Sequence, residues 1–335
     1  MINLWDEHFW LPENTTWKSF YGDPTIQYPY FHELYYTIIV GALLVVLRIF
    51  IESFVFLPIG VICGWVNTKQ QSLSSRIIEH LFFGFAGKKK FKRVAESSSR
   101  FLYYLCAFFA GLYILKDEPQ FSNVADCWKN WPHQNVPDKV WWYYIIETGF
   151  YWSLFFSTLV FDVRRADFMQ MMFHHFITIL LLSLSFSINF IRVGTLVLLS
   201  HDAADILLDL LKLFRYANWD MALNVGYLVF MAIWISSRLI YYPFWVINST
   251  IYDAPRMIQE NYRYEDLFQR PICPRLLVGM LCALVFLHIF WTYVLIKIAI
   301  QATTTTGKME DIRESDDEDF DENTSPPIQQ QKKRN

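Results

Sequence analysis

The sequence predicts an all-α, polytopic membrane protein of about seven transmembrane helices, and three observations carry that expectation. Of 335 residues, 54% are hydrophobic and 19% aromatic while only 18% are charged; soluble domains run nearer a quarter charged. The apolar residues fall into runs of about 20, the length that crosses a ~30 Å hydrocarbon slab as a helix. Charges are segregated between those runs, so the net charge of −3 describes neither face of the membrane.

The elements follow in order. Residues 1–33 form a segment ahead of the membrane; Asp6, Glu7, Glu13 and Asp23 lie in it without a basic start and apolar run, so no cleavable signal peptide is expected. The first membrane helix belongs to 34–65, with its apolar span over 34–58. A basic loop occupies 66–98, and a six-helix domain 99–300. Its spans are expected over 99–115, 140–161, 171–188, 192–211, 221–247 and 275–300. The second is short and uses 97–100 to complete the membrane thickness. The fourth and fifth are separated by a few residues around Asn189 and form a helical hairpin. An acidic tail over 301–335 has the composition of a disordered segment.

Basic residues orient the bundle. Eight Lys/Arg lie in 66–100, joined on that side by Arg164, Arg165, Lys212, Arg215 and the tail. The other side carries Lys18, Lys116, Lys129, Arg192, Arg256, Arg263 and Arg270. The N-terminus is therefore expected in the lumen and the C-terminus in the cytosol. The glycosylation sequons at Asn14 and Asn248 both fall on the lumenal side. Lys332 and Lys333, just before the end of the chain, resemble a dilysine retrieval signal, which implies residence in the endoplasmic reticulum membrane. Ser315, followed by acidic residues, suits an acidophilic kinase. The five cysteines form no CxxC pair or metal-ligand spacing, so no metal is expected. Cys127 and Cys273 share the lumenal side, where two free thiols are expected over a disulfide.

Chemistry concentrates on the fourth and fifth spans. Acidic groups at such depth cost at least ~2.5–3.5 kcal/mol, so they face a cavity or a partner. At about 100° per residue, His174, Thr178, Ser185 and Asn189 form one stripe with His175 on its shoulder. On the next span His201, Asp202, Asp205 and Asp209 share an arc. Two polar stripes on antiparallel helices are expected to face each other, open towards the cytosol; Asp205 sits ~10 Å and His201 ~15 Å in from Lys212. Histidine serves as base or nucleophile near neutral pH, and a carboxylate fixes its tautomer. The other intramembrane charges read as structural: Arg48 and Glu52, four apart, as an ion pair, and Glu147, Arg238 and Lys297 as interior or snorkelling residues. His288 reads as packing.

The stretch from His174 to Lys212 resembles the Lag1 motif of the ceramide synthases, within the wider TLC-domain membrane proteins. The matching residues are the His174-His175 pair, Thr178, Ser185, Asn189, Arg192-Val193-Gly194, Leu196-Val197, His201-Asp202, Asp205 and Lys212. The resemblance implies a TLC-type helical barrel enclosing an intramembrane cavity. It also implies transfer of a fatty acyl group from acyl-CoA to the amine of a sphingoid base, with acyl-CoA as co-substrate and no other cofactor. His174, His175, His201 and Asp202 are then the catalytic candidates, supported by Thr178, Ser185, Asn189, Arg192, Asp205 and Asp209. Homo- or heterodimers occur in the family, and acyl-chain preference is associated with the last lumenal loop, here 248–274. Two departures retain shape or charge: Phe186 where the family usually has Tyr, and Asp209 where it has Glu. The first cytosolic loop is too short for the ~60-residue homeodomain-like insert of many animal members. Its basic run Lys88–Arg93 suits anionic lipid headgroups, so membrane lipids and no nucleic acid are the expected contacts.

Two other readings stand beside this one. A di-iron desaturase needs about eight ligand histidines in repeated boxes; the chain has eight histidines in all, half of them outside the spans. A non-enzymatic TLC-like lipid transporter, sensor or translocon-associated protein does not require the matched His and His-Asp elements.

Overall fold

The structure is a computed structural model that describes residues 5–21, 23–63, 72–82, 90–162 and 165–306. Ser315, Lys332, Lys333, Arg164 and Lys88-Lys89 lie outside the described residues.

Among the described residues eight helices carry the architecture: α1 (Phe31–Ile62), α2 (Leu73–Leu81), α3 (Lys90–Leu115), α4 (Asp138–Val160), α5 (Phe168–Ser187), α6 (Ile191–Tyr216), α7 (Asp220–Ile258) and α8 (Cys273–Thr304). No strand occurs among the described residues, as expected of an all-α membrane protein: in hydrocarbon a helix satisfies its own backbone polar groups. Of the seven expected spans, α1, α3, α5, α7 and α8 are long and apolar enough to cross a membrane. The other two coincide with α4 and α6, of 23 and 26 residues; α4 carries buried Glu147, and α6 carries buried Asp202, Asp209 and Lys212.

Several helices outrun the boundaries expected from hydropathy. α3 begins at Lys90, not near 99, and α7 runs to Ile258, not 247. Hydropathy registers the part of a helix in lipid, while the backbone ladder continues into polar sequence. Within α7 the backbone opens into wider i→i+5 turns over Ile235–Ile247, a stretch that contains Pro243. Proline has no N–H for the ladder, and such turns recur at functional sites. They bring Arg238 and Tyr242 to the interior, both buried.

Glycine sets the closest approach between α1 and α4. A Cβ at Gly41 would stand 2.9 Å from the Gly149 carbonyl oxygen, and one at Gly149 2.8 Å from Val40 Cγ1. Small residues let helix backbones meet, which is how membrane helices gain packing without a hydrophobic driving force.

The N-terminal segment and the connections α3–α4 and α7–α8 cover one end of the bundle. Trp10, Leu11, Phe20, Cys127 and Trp128 are buried in a common core there. Backbone bonds sew the pieces together: Val136 N–H to Gln27 O at 3.0 Å and Ile272 N–H to Phe9 O at 2.9 Å. The loop 259–272 is drawn onto Arg275, whose guanidinium donates to the carbonyls of Gln269 (2.7 Å), Pro271 (2.9 Å) and Arg263 (2.9 Å). Cys127 and Cys273 are both free and buried, and burial pushes the Cys127 thiol up, away from reactivity.

An ion-pair network holds the opposite end. Arg48 meets Glu52 at 2.6 Å, as its i,i+4 spacing predicts, and also Asp162 at 2.8 Å. Glu52 in turn receives His80 of α2 at 2.9 Å and the Ser99 hydroxyl of α3 at 2.8 Å. Arg100 stands 3.6 Å from Asp209 of α6, which Lys212 also contacts at 2.6 Å. Four elements are thereby tied to α6 just below the candidate site.

Candidate active site

The α5–α6 hairpin forms as expected, and the residue that turns it is Asn189. Its φ of 56° is left-handed, a conformation asparagine tolerates better than most L residues. Its side-chain NH2 donates to the carbonyls of Pro132 (3.1 Å) and Gln134 (3.0 Å). Arg192 donates to the carbonyl of Asp126 at 3.1 Å. Both therefore fasten the hairpin to the α3–α4 connection and lie at the end away from the ion-pair network. Asp209 belongs to that network. The structure thus places Asn189, Arg192 and Asp209 around the site, not in its interior.

His174, His175, His201 and Asp202 are all buried, but the two polar stripes do not simply face each other. The site is assembled from α4, α5, α6, α7 and α8. His174 packs edge-to-face on Trp291 of α8 at 5.5 Å. Tyr151 of α4 lies 6.2 Å from the His174 ring and 6.3 Å from His175. The Nδ1 atoms of both histidines have no hydrogen-bond partner. Trp291 is fixed by its indole N–H, which donates to Asp167 at 3.1 Å.

His201 turns towards α7 and α8. Its Nδ1 lies 2.7 Å from the Val197 carbonyl and its Nε2 3.2 Å from Nε2 of His288. A carbonyl only accepts, so Nδ1 carries the proton; in the neutral ring Nε2 holds the lone pair, and His288 donates to it. His288 is therefore a hydrogen-bond partner of the site, not simple packing. Arg238 likewise proves central: it pairs with Asp205 at 2.8 Å, donates to the His201 carbonyl at 3.0 Å and lies 4.5 Å over the Trp234 ring. Glu147, buried on α4, is a third member read as structural from sequence. A sequence signal existed for all three, since each is ionisable within an apolar run; what the sequence lacks is the partner.

A cavity runs from this centre towards the N-terminal end, lined by Tyr151, Thr178, Ser185, Val197, His201 and Leu284 among others, with ≈ 620 Å³ of empty space when its open part is included. Its walls are mostly apolar, with Thr178 and Ser185 spending their hydroxyl protons on the α5 backbone at His174 O (2.8 Å) and Leu182 O (3.1 Å). A second cavity of ≈ 500 Å³ lies beneath the 259–272 loop and shares Trp128, Phe190, Thr250 and Leu277 with the first. The arrangement offers a long apolar slot ending at polar, ionisable side chains, the form expected for a small-molecule or lipid site. Among the described residues no group of three or more His, Cys, Asp or Glu could hold a metal ion.

Comparison with known proteins agrees with this geometry. The family pattern for the TLC domain matches residues 93–297, from α3 to the last helix. The chain is 38% identical over 333 residues to ceramide synthase hyl-2 of Caenorhabditis elegans, covering 98% of this chain and 97% of that one. It is 43% identical over 321 residues to ceramide synthase hyl-1 of the same organism, covering 93% and 84%. Human ceramide synthase 5 is 31% identical over 334 residues, covering 89% and 82%. With His174, His175, His201 and Asp202 of the Lag1-type stretch all buried and similarity spanning nearly the whole chain, the protein belongs to the ceramide synthase family of TLC-domain membrane proteins.

Proposed function

We propose that the protein is an acyl-CoA-dependent sphingoid-base N-acyltransferase that makes ceramide or dihydroceramide. The observation that carries this reading is the pair of buried histidines with unpartnered Nδ1 atoms, packed on Tyr151, which with Thr178 and His201 lines the mostly apolar cavity, in a chain of this family.

One histidine of the 174/175 pair accepts the acyl group. Imidazole nitrogen attacks the thioester carbonyl, the N–C bond forms, the C–S bond breaks, and the CoA thiolate takes up the proton that the ring N–H loses. The amine then attacks the acyl-imidazole, the amide bond forms, the C–N bond to the ring breaks, and a carboxylate relays the amine proton to the departing imidazole. A base role for the same histidine is the simpler variant. Thr178 and Ser185 line the cavity; Asp202 serves the amine; Asp205 acts through Arg238. His201, already engaged by Val197 and His288, is better suited to orient the site than to attack.

The expected setting is the endoplasmic reticulum membrane, N-terminus lumenal and C-terminus cytosolic, with the six helices from α3 to α8 as a barrel around the cavity. Of the two sequons, Asn14 is the better acceptor, because Asn14 and Thr16 are exposed. Thr250 of the other is buried within α7 with its hydroxyl on Val246 O. Phosphorylation at Ser315, retrieval through Lys332 and Lys333, and dimerisation belong to the same proposal.

The test is N-acylation in isolated membranes supplied with acyl-CoA and sphinganine. Wild type forms the amide, and His174→Ala, His175→Ala, His201→Ala and Asp202→Ala each abolish it at normal protein levels. Full turnover in all four variants would sink the assignment.

A further inference from the structure

A second cluster of buried polar groups lies beside the histidines, between α3, α4 and α6. Glu147 is 1% and Asp202 0% exposed. Three of their four carboxyl oxygens, Oε2 of Glu147 and both of Asp202, have no hydrogen-bond partner. The hydroxyl of Tyr143, on a side chain also buried, has none either. The fourth carboxyl oxygen, Glu147 Oε1, accepts from Tyr103 of α3 at 3.3 Å.

The two carboxyls share one level of the bundle. A Cβ at Gly111 of α3 would meet the Tyr143 hydroxyl at 2.9 Å and Leu199 Cδ1 at 3.1 Å, so Tyr143 and Leu199 stand together. α4 and α6 run in the same direction. Glu147 lies four residues beyond Tyr143 and Asp202 three beyond Leu199, about 6 and 4.5 Å further along by the helical rise. The nearest fixed cation is Arg238, and it is already committed to Asp205 at 2.8 Å. Asp202 and Asp205 thus share one guanidinium, while Glu147 has only the Tyr103 hydroxyl beside it, and an uncompensated carboxylate in this interior is costly by several kcal/mol. A cation placed between the two carboxyls would be the partner that the protein does not supply.

Its cover says from where. The Tyr103 ring stacks on Phe150 of α4 at 3.4 Å and lies over Glu147 at the α3–α4 seam. Leu102, Trp142 and Ile146 beside that seam are exposed apolar residues on the outer surface of the bundle. A cation arriving here comes out of the bilayer, which selects an amine on a lipid chain over a free metal ion.

We propose that Glu147 and Asp202 together form the receiving site for the ammonium group of the lipid acceptor, reached through the α3–α4 seam that Tyr103 covers. This rests on the acyl-transfer reading above and assigns its acceptor side. The ammonium donates hydrogen bonds to the two carboxyls and gives up one proton to the ionised one. The neutral amine left behind holds the lone pair that attacks the acyl carbon on the far side of Tyr151, whose ring stands 6.2 and 6.3 Å from those of His174 and His175.

The experiment titrates sphinganine and acyl-CoA separately against wild type, Glu147→Gln and Glu147→Asp in membranes. Glu147→Gln keeps shape and removes charge. It should raise the KM for sphinganine roughly tenfold to a hundredfold, the worth of one charge-assisted hydrogen bond, with the KM for acyl-CoA within about twofold. Glu147→Asp, which restores the charge on a shorter arm, should recover part of the loss. A sphinganine KM equal to wild type in Glu147→Gln, or a parallel rise for both substrates, overturns the proposal. If Glu147→Gln does not accumulate, Glu147→Asp decides: an unchanged sphinganine KM overturns the proposal and a selective rise supports it. Wild-type membranes that form no amide would instead refute the reaction itself, and the ammonium site with it.

Discussion

Arg238→Gln is the substitution whose effect follows most directly from the structure. It takes the guanidinium from Asp205 at 2.8 Å, from the His201 carbonyl at 3.0 Å and from the face of Trp234 at 4.5 Å. The side chains of Arg238 and Asp205 are 4% and 16% exposed, so the pair is shielded from solvent and surface-bridge values do not apply. Breaking a buried pair from one side costs about 3–5 kcal/mol, because the surviving charge is left uncompensated. At the ~2 °C per kcal/mol of larger domains, the thermal midpoint in detergent should fall by about 6–10 °C. Asp205→Asn strands the guanidinium and should cost a comparable amount.

The double variant separates charge pairing from lost packing. With both charges gone no carboxylate or guanidinium is stranded, so the combined cost should fall short of the sum by about 1–3 kcal/mol. The assay is thermal unfolding of the four proteins purified side by side. Costs that add within about 0.5 kcal/mol would refute the pairing argument and leave Arg238 as packing against Trp234. Catalysis gives a second readout. Well below the midpoint, where all four proteins are folded, Arg238→Gln should still lose at least about tenfold in amide formation, since a charged donor to the His201 backbone is gone.

Other predictions test the remaining parts of the frame. A Cβ at Gly194 would stand 2.5 Å from the Tyr144 hydroxyl, which itself lies 2.5 Å from the Ser185 hydroxyl; Gly194→Ala should destabilise by about 1–3 kcal/mol. At Gly279 nothing lies within 4 Å, and Gly279→Ala should be neutral or stabilise by up to about 1 kcal/mol, so the thermal midpoint should fall for Gly194→Ala and hold or rise for Gly279→Ala. Arg275→Met removes a shared donor from the 259–272 loop and should speed proteolysis there while sparing the helices, read by mapping the first cleavage. Burial raises the Asp162 carboxyl, but Arg48 and Arg100 outweigh it and hold it below the usual carboxylate range. A lowered carboxyl contributes stability above its unfolded value of about 3.9 that is lost as pH falls through its folded value. The thermal midpoint should therefore drop below about pH 4, and Asp162→Asn should flatten that drop.

The features legible from sequence are those whose cause is local. The Arg48–Glu52 pair follows from i,i+4 spacing, and the α5–α6 hairpin from two apolar runs meeting at Asn189. Burial of His174, His175, His201 and Asp202 follows from polar residues recurring at helical spacing in apolar helices. Periodicity gives a side chain its direction on its own helix and says nothing of what stands opposite. His201 and His288 are 87 residues apart, and Arg238 and Asp205 belong to different helices. Helix ends differ from the hydropathy boundaries for another reason: α3 and the end of α7 continue in polar sequence, where hydropathy is silent. Asn189 and Arg192 fit the family pattern for the sake of the fold, since both tie the hairpin to carbonyls of the α3–α4 connection.

α4 explains how one interior can serve two unlike substrates. Its residues 144 and 151 turn towards the cavity, where Tyr144 meets Ser185 and Tyr151 stands against both histidines. Residues 143 and 147 turn towards α3, where the unpartnered carboxyls lie. The apolar cavity suits a fatty chain, and the carboxyl pocket suits a charged amine; neither would hold the other's ligand, since a chain gains nothing from carboxylates and an ammonium is not solvated by leucine. Tyr151, one turn from Glu147 and beside the 174/175 pair, is the wall between them. In the proposed reaction the two substrates must meet, which would put bond formation beside Tyr151, one turn of α4 from Glu147 and against both histidines. That placement makes the unpartnered groups intelligible: they are left without protein partners at the one level where both substrates bring polar atoms of their own.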